Sequence, residues 1–268
     1  MPIHPARRLP IALASMILIL ASLNGVAAQT PEQAGLSLAQ EANQRDSGFG
    51  DVSVEMLMIL RNPRGQESTR RMHSRILEVP SDGERSLILF DDPGDVRGTA
   101  LLTHSHSNGQ DDRWLYMPAA KRVKRIVTGN KTGPFMGSEF AFEDIGSQHV
   151  AKYRYRLVGE EACGSTTCRI SERIPNDSDS AYSRQKVWTE KLSLSPMKIE
   201  FYDRKQSLLK TLVFEGYKQY SGKYWRADRL VMTNNQSGAV TTLIFNNYHF
   251  ANGYNPRDFE QSSLGAGQ

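Results

Sequence analysis

Apolar and polar positions alternate with a period of two through most of this chain. Val52, Val54, Met56, Met58 and Leu60 are separated by mostly polar neighbours, the pattern of a half-buried strand. Asn62-Pro63-Arg64-Gly65 reads as a turn, and Ser68 to Val79 as a return strand made polar by Arg70, Arg71, His73 and Arg75. After a turn at Pro80-Ser81-Asp82-Gly83, strands are expected over Arg85 to Phe90, Arg97 to Thr103, Arg113 to Met117 and Arg122 to Val127. A non-strand insert follows, then strands over Val150 to Val158, Thr167 to Ile174, Tyr182 to Thr189 and Met197 to Asp203. Leu208 to Tyr217, Tyr224 to Thr233 and Val240 to His249 complete the series. Turn signals recur about every ten residues, the spacing of an antiparallel meander.

Pro31 to Gln44 is the sizeable helix of the pattern. Pro31 suits a first turn, Ala34, Leu36, Leu38 and Ala42 fall along one side, and Asp46-Ser47-Gly48 breaks it. A sheet of about ten or more strands must curl or close, because strand twist forbids a long flat one. The expected fold is therefore mainly β: a strongly curved antiparallel sheet around an apolar hollow, with the N-terminal helix and a short helical insert covering part of its open side. Met56, Met58, Trp114, Tyr116, Phe201, Phe214, Met232 and Phe245 are candidates to line that hollow. The same alternation would also serve to fill a dry core.

The first residues have a different pattern. Arg7 and Arg8 precede a short apolar run from Ile11 to Leu23, and Val26-Ala27-Ala28 supplies the small residues of a cleavage site. This is the order of a secretory signal peptide over residues 1–28, cut after Ala28. The run is shorter than the roughly 20 residues of a membrane span. No cysteine sits at the cut to be acylated, and the arginine pair lacks the polar flank of a twin-arginine signal. Export takes the formal charge from +4 to +2, since two arginines and no acids leave. A balance this weak, in an exported protein, does not point to nucleic acid. The expected organisation is one domain over residues 29–257 and a loose, Gly-rich tail over 258–268.

Candidate chemistry is sparse. Cys163 and Cys168 flank Gly164-Ser165-Thr166-Thr167, a hairpin tip that an oxidising compartment would permit to be bridged. So small a loop is worth only about 2 kcal/mol in the chain-entropy model. C-x4-C is not a redox C-x-x-C, and a structural zinc would need four ligands, so no metal is expected there. His104-Ser105-His106 puts two imidazoles on one strand face without a clear third ligand. Thr128-Gly129-Asn130-Lys131-Thr132-Gly133 lacks the spacing of a phosphate loop. There is no G-x-S-x-G elbow, and Asp91-Asp92 and Asp111-Asp112 sit in turns, so no catalytic constellation and no cofactor are expected. Lys121, Arg122, Lys124, Arg125 and Lys131 form one dense basic patch, either a solvated face or a docking surface for anionic lipid headgroups or an acidic partner.

The middle of the chain is its most distinctive part. Phe90-Asp91-Asp92-Pro93-Gly94-Asp95-Val96-Arg97-Gly98-Thr99-Ala100-Leu101-Leu102 leads into Asp112-Arg113-Trp114-Leu115-Tyr116-Met117-Pro118, then through Lys121-Arg122-Val123-Lys124-Arg125-Ile126 to Phe135-Met136-Gly137-Ser138-Glu139-Phe140-Ala141-Phe142-Glu143-Asp144. With Tyr182-Ser183-Arg184 and Lys210-Thr211-Leu212, this order resembles the LolA-like outer-membrane lipoprotein-sorting family of bacterial periplasmic proteins, in its larger uncharacterised branch. The resemblance implies an incomplete, curved β-barrel with helices plugging its open side, and an apolar cavity for acyl chains.

It further implies a non-enzymatic periplasmic carrier of lipids or lipoproteins, passive and monomeric. An accessory protein of an RND-type lipid exporter is the alternative. Phe135, Met136, Phe140 and Phe142 then become cavity or lid candidates. Glycines at 129, 133, 137 and 146 would let the insert over residues 129–146 move, although a fixed plug would use the same aromatics. An outer-membrane β-barrel would need an outward apolar band with aromatic girdles, which these strands do not show.

Overall fold

The computed structural model describes Met1 and residues 28–80, 82–127 and 130–265. Nearly all of the expected signal peptide lies outside the described residues, as do Ser81, Thr128, Gly129 and the last three residues. Among the described residues no helix is long and apolar enough to cross a membrane.

The chain enters through α1 (Pro31–Asp46). Its start is fixed reciprocally: Thr30 Oγ1 accepts from the Gln33 N–H at 3.2 Å, and Gln33 Oε1 accepts from the Thr30 N–H at 3.0 Å. Two otherwise orphaned donors are thereby satisfied, and Pro31 occupies a first-turn position where its missing N–H costs nothing.

The chain then climbs one half of the sheet through β1 (Asp51–Arg61), β2 (Glu67–Val79), β3 (Gly83–Asp92), β4 (Ala100–His106), β5 (Asp112–Met117) and β6 (Arg122–Arg125). It crosses to the far edge and returns through β7 (Tyr153–Cys163), β8 (Thr166–Pro175), β9 (Arg184–Glu190), β10 (Pro196–Tyr202) and β11 (Leu208–Glu215). A separate ribbon, β12 (Lys218–Tyr220) with β13 (Tyr224–Arg226), precedes β14 (Arg229–Asn234) and β15 (Val240–Phe250). The 13-stranded antiparallel sheet has the order β6-β5-β4-β3-β2-β1-β15-β14-β11-β10-β9-β8-β7, closed in its middle by β1 on β15 and open between β6 and β7. This is the incomplete barrel. Since consecutive segments leave one edge and enter the other, the connection between β6 and β7 has to pass over the open side.

The main core lies on the concave face. Met58, Met72, Phe90, Leu101, Phe201 and Met232 are all buried there, and Phe135 and Phe140 of the β6–β7 connection enter from above. Phe135 packs against Phe90 and Phe142 with ring centroids 5.8 and 5.6 Å apart. Each such side chain contributes on the order of 2–3 kcal/mol by leaving water. α1 closes another part of the open side against β7. Gly35 makes that contact possible: a Cβ there would lie 2.7 Å from the Arg156 carbonyl carbon and the Leu157 nitrogen, so the helix could not seat with any larger residue.

Four expectations need revision. The insert is not an α-helix but a chain of 3-10 turns at Phe135–Gly137, Phe142–Asp144 and Val150–Lys152, because Gly137 and Met136 sit at positive φ and interrupt any longer helix. The expected strand from Tyr224 to Thr233 is two, parted at Ala227-Asp228, where the chain leaves the ribbon for the main sheet. The segment after Asp258 is not loose: Phe259 and Leu264 are buried on the outer face of β3 to β5.

Trp114 and Tyr116 are the fourth. They point to that same outer face and pack with Leu87, Leu102 and Phe259, while their neighbours Arg113 and Leu115 point inward. Ring size suggested the concave side, but the buried Arg113 is held there by Asp111 at 2.7 Å. One inward arginine sets the face of the whole strand, since a strand's side chains alternate.

Candidate functional site

Between α1, the concave sheet and the insert lies a cavity of about 610 Å³, within the range that holds drug-sized ligands. Val52, Val54, Met56 and Met58 of β1 form its floor with Leu243 and Phe245 of β15. Phe135 and Phe140 close one end, and Leu38, Ala39 and Ala42 of α1 form a wall. Of the sequence candidates, Met56, Met58, Phe135, Phe140, Phe214 and Phe245 line this space. Phe142, Phe201 and Met232 are buried in the adjoining core without reaching it, and Met136 is half-buried against that core. Trp114 and Tyr116 lie on the outer face and take no part.

The insert is fastened by a buried polar knot. Lys210 Nζ of β11 donates to Asp144 at 2.6 Å and to the Glu139 carbonyl at 2.9 Å, and both side chains of the ion pair are about 6% exposed. Asp144 also accepts from the Tyr182 hydroxyl at 2.9 Å and from the Ala141 N–H at 2.7 Å. Burial, with the Asp144 charge beside it, pushes the Tyr182 phenol well above its ordinary range. Lys210 also lies 5.1 Å from the Tyr182 ring centre and 5.3 Å from that of Phe201. Three separated parts of the motif pattern, around Asp144, Tyr182 and Lys210, thus converge on one knot. Glu139 adds a bond from the Asn234 amide at 2.8 Å, and Arg70 reaches the Met136 carbonyl. So many partners, drawn from several strands, make the insert a fixed plug.

α1 is tied more lightly. Arg226 pairs with Asp46, Lys223 Nζ donates to the Ser47 carbonyl at 2.6 Å, and Arg45 reaches the Leu192 carbonyl. Burial outweighs the nearby Arg226 charge and raises the Asp46 carboxyl above its usual range. Beneath these ties, at the end of the cavity away from Phe135, stands Glu84. Burial first, then the charges of Asp46 and Glu78, push its carboxyl up to about 7.

The sequence reading missed Glu84 by starting its strand at Arg85. The signal was present, since Glu84, Ser86 and Ile88 continue the period of two onto the cavity face.

Elsewhere the candidates behave as structure. Cys163 and Cys168 are bonded across the β7–β8 hairpin, with Cα atoms 5.7 Å apart. His104 contacts the Phe259 carbonyl at 2.7 Å, while His106 lies between Asp82 and Asp112, at 2.7 and 3.2 Å. Lys121, Arg122, Lys124 and Arg125 are exposed along edge strand β6, and Arg125 pairs with Asp112. Charges on an edge discourage strand pairing with another chain.

Solved structures carry the same architecture. A LolA superfamily protein from Nitrosomonas europaea superposes with a TM-score of 0.69 at 21% identity, over 86% of this chain and 99% of that one. The class defined by the half-open sheet and its plug is therefore the LolA-like fold. A domain assigned to outer-membrane lipoprotein sorting from Vibrio parahaemolyticus is 49% identical, with a TM-score of 0.85 over 87% of this chain and 99% of that one. A DUF1329 family protein from Desulfovibrio piger ATCC 29098 is 33% identical, with a TM-score of 0.83 over 88% and 99%. A family described as "Uncharacterized protein" matches residues 82–266. No curated protein matches the chain. The chain belongs to the LolA-like outer-membrane lipoprotein-sorting family, in the branch these last structures represent.

Proposed function

We propose that this protein is a periplasmic carrier that shelters the acyl chains of a lipid or lipoprotein in the α1-walled cavity and passes them toward the outer membrane. The observation that carries this reading is the cavity itself: about 610 Å³ of space floored by Val, Met, Leu and Phe in a protein that otherwise packs tightly. Such a space left to water would be unfavourable, whereas each acyl methylene it takes in is worth about 0.8 kcal/mol. A long chain gives on the order of 10 kcal/mol before opposing costs, enough to hold it in water yet surrender it to a more apolar acceptor. Nothing in this account calls for chemistry on the ligand or for a cofactor.

The pinned insert leaves α1 as the wall that moves. It is held by exposed or half-exposed ties to the 191–195 loop and the β12–β13 ribbon, which are worth far less than the Asp144 knot. The basic edge at Lys121, Arg122, Lys124 and Arg125 is the proposed docking surface for a donor or acceptor. Its exposure also favours the second reading, an accessory of an RND-type lipid exporter.

Titration of the mature protein with a fluorescent fatty-acid analogue should show saturable binding near one probe per chain, displaced by unlabelled lipid. A folded protein that takes up no probe would overturn the carrier reading.

A further inference from the structure

The cavity is polarised along the strands that floor it. On β2 the inward residues run Met72, Ser74, Ile76, Glu78, and on β3, running the other way, Ile88, Ser86, Glu84. Met72 to Glu78 is six residues, or about 20 Å of strand. One end is therefore methionine and phenylalanine, and the other ends in two carboxylates that the register places directly opposite each other. Like charges in that position destabilise a sheet pair, so their placement calls for a reason beyond the fold.

We propose that the cavity binds its ligand in one orientation, tail toward Met58 and Phe135, with an uncharged hydroxyl-bearing headgroup held by Glu84, Ser86 and Ser147. This rests on the carrier reading and adds the headgroup class and the direction of entry. The case is one of elimination among the groups at the polar end. Glu78 is already committed, accepting from the backbone N–H groups of Gly48 at 2.9 Å and Gly50 at 2.7 Å. Asp46 holds Arg226, Lys223 holds the Ser47 carbonyl, and Arg45 holds the Leu192 carbonyl. Arg173 donates to Gln185 at 2.6 Å and covers the Tyr153 ring. No cation is left over to receive a phosphate or carboxylate. Glu84 has no ion-pair partner among the described residues and shares only a hydrogen bond with Ser147.

A carboxyl so placed has spare capacity to accept from a donor, and its own charge, with that of Glu78, repels an anionic headgroup. An ammonium headgroup would meet the four cations that line the same end. A neutral alcohol meets neither objection. Its hydroxyl can donate to Glu84 and accept from a serine, while its chain lies along the methionine floor.

The test is displacement of the fluorescent fatty-acid analogue at pH 8 by 1-palmitoylglycerol and by palmitate, on wild type, Glu84→Ala and Glu84→Gln, with thermal melting to show each is folded. In wild type the glyceride should bind at least tenfold more tightly than the carboxylate. Glu84→Ala should cost the glyceride about tenfold, the worth of a hydrogen bond to a charged group, and reduce the preference to within about twofold. Glu84→Gln keeps an acceptor and removes the charge, so it should retain the glyceride and improve palmitate. Equal affinities in wild type, or a preference that survives in both variants, would overturn the headgroup assignment and leave the carrier intact. Failure of both lipids and the probe to bind would instead remove the carrier reading itself.

Discussion

Replacing Lys210 by methionine should lower the melting temperature by about 6–20 °C, the largest loss expected of any single change outside the apolar core. The ion pair with Asp144 is almost wholly buried, so removing the cation strands a carboxylate in a place that water cannot easily reach. Breaking one partner of such a pair costs about 3–5 kcal/mol, and each kcal/mol shifts the melting point of a domain this size by about 2–4 °C. Asp144 would keep the Tyr182 hydroxyl and the Ala141 N–H, which is why the loss should not exceed that range. Combining Lys210→Met with Asp144→Asn should recover part of it, because the double change leaves no lone charge. A melting point within about 1 °C of wild type for the single variant would show that the knot does not hold the insert in place.

The second large effect is on binding, and it should come without a stability loss. Ala42 faces the cavity from α1 and is only half-buried, so Ala42→Trp can project an indole into the space without breaking the core. Displacing about three acyl methylenes forfeits roughly 2.4 kcal/mol, or about 50-fold in affinity. The same substitution costs the helix only about 0.5 kcal/mol in propensity. Weaker probe binding at an unchanged melting point is the expected pair of results. Unchanged affinity would place the acyl chain somewhere other than between α1 and the sheet.

How far the sequence spoke depended on which force set each element. β1 was legible end to end, since its inward Val and Met residues face a core and its outward neighbours face water. α1 was legible from Pro31 and the break at Ser47, but its role as a cavity wall was not. Alanines at 39 and 42 leave room, and emptiness has no hydropathy signature. Trp114 and Tyr116 misled because face is a property of register, fixed here by the ion pair of Arg113 with Asp111 from an adjoining turn. Phe259 looked like part of a loose tail because its partners, Leu87 and Leu102, are far away in sequence. The insert's aromatics were correctly seen as important, yet mobility was inferred from glycines when the deciding contacts come from Lys210 and Tyr182. Long-range polar pairing of that kind has no local period to read.

The central claim is that the cavity carries a lipid, and native mass spectrometry of the protein purified from the periplasm, followed by extraction and identification of what it releases, tests it most directly. The expected spectrum shows a discrete adduct of acyl-lipid mass at no more than one per chain, lost on organic extraction and much reduced in Ala42→Trp. A spectrum of bare protein, unchanged after incubation with membrane lipid extract, would contradict it.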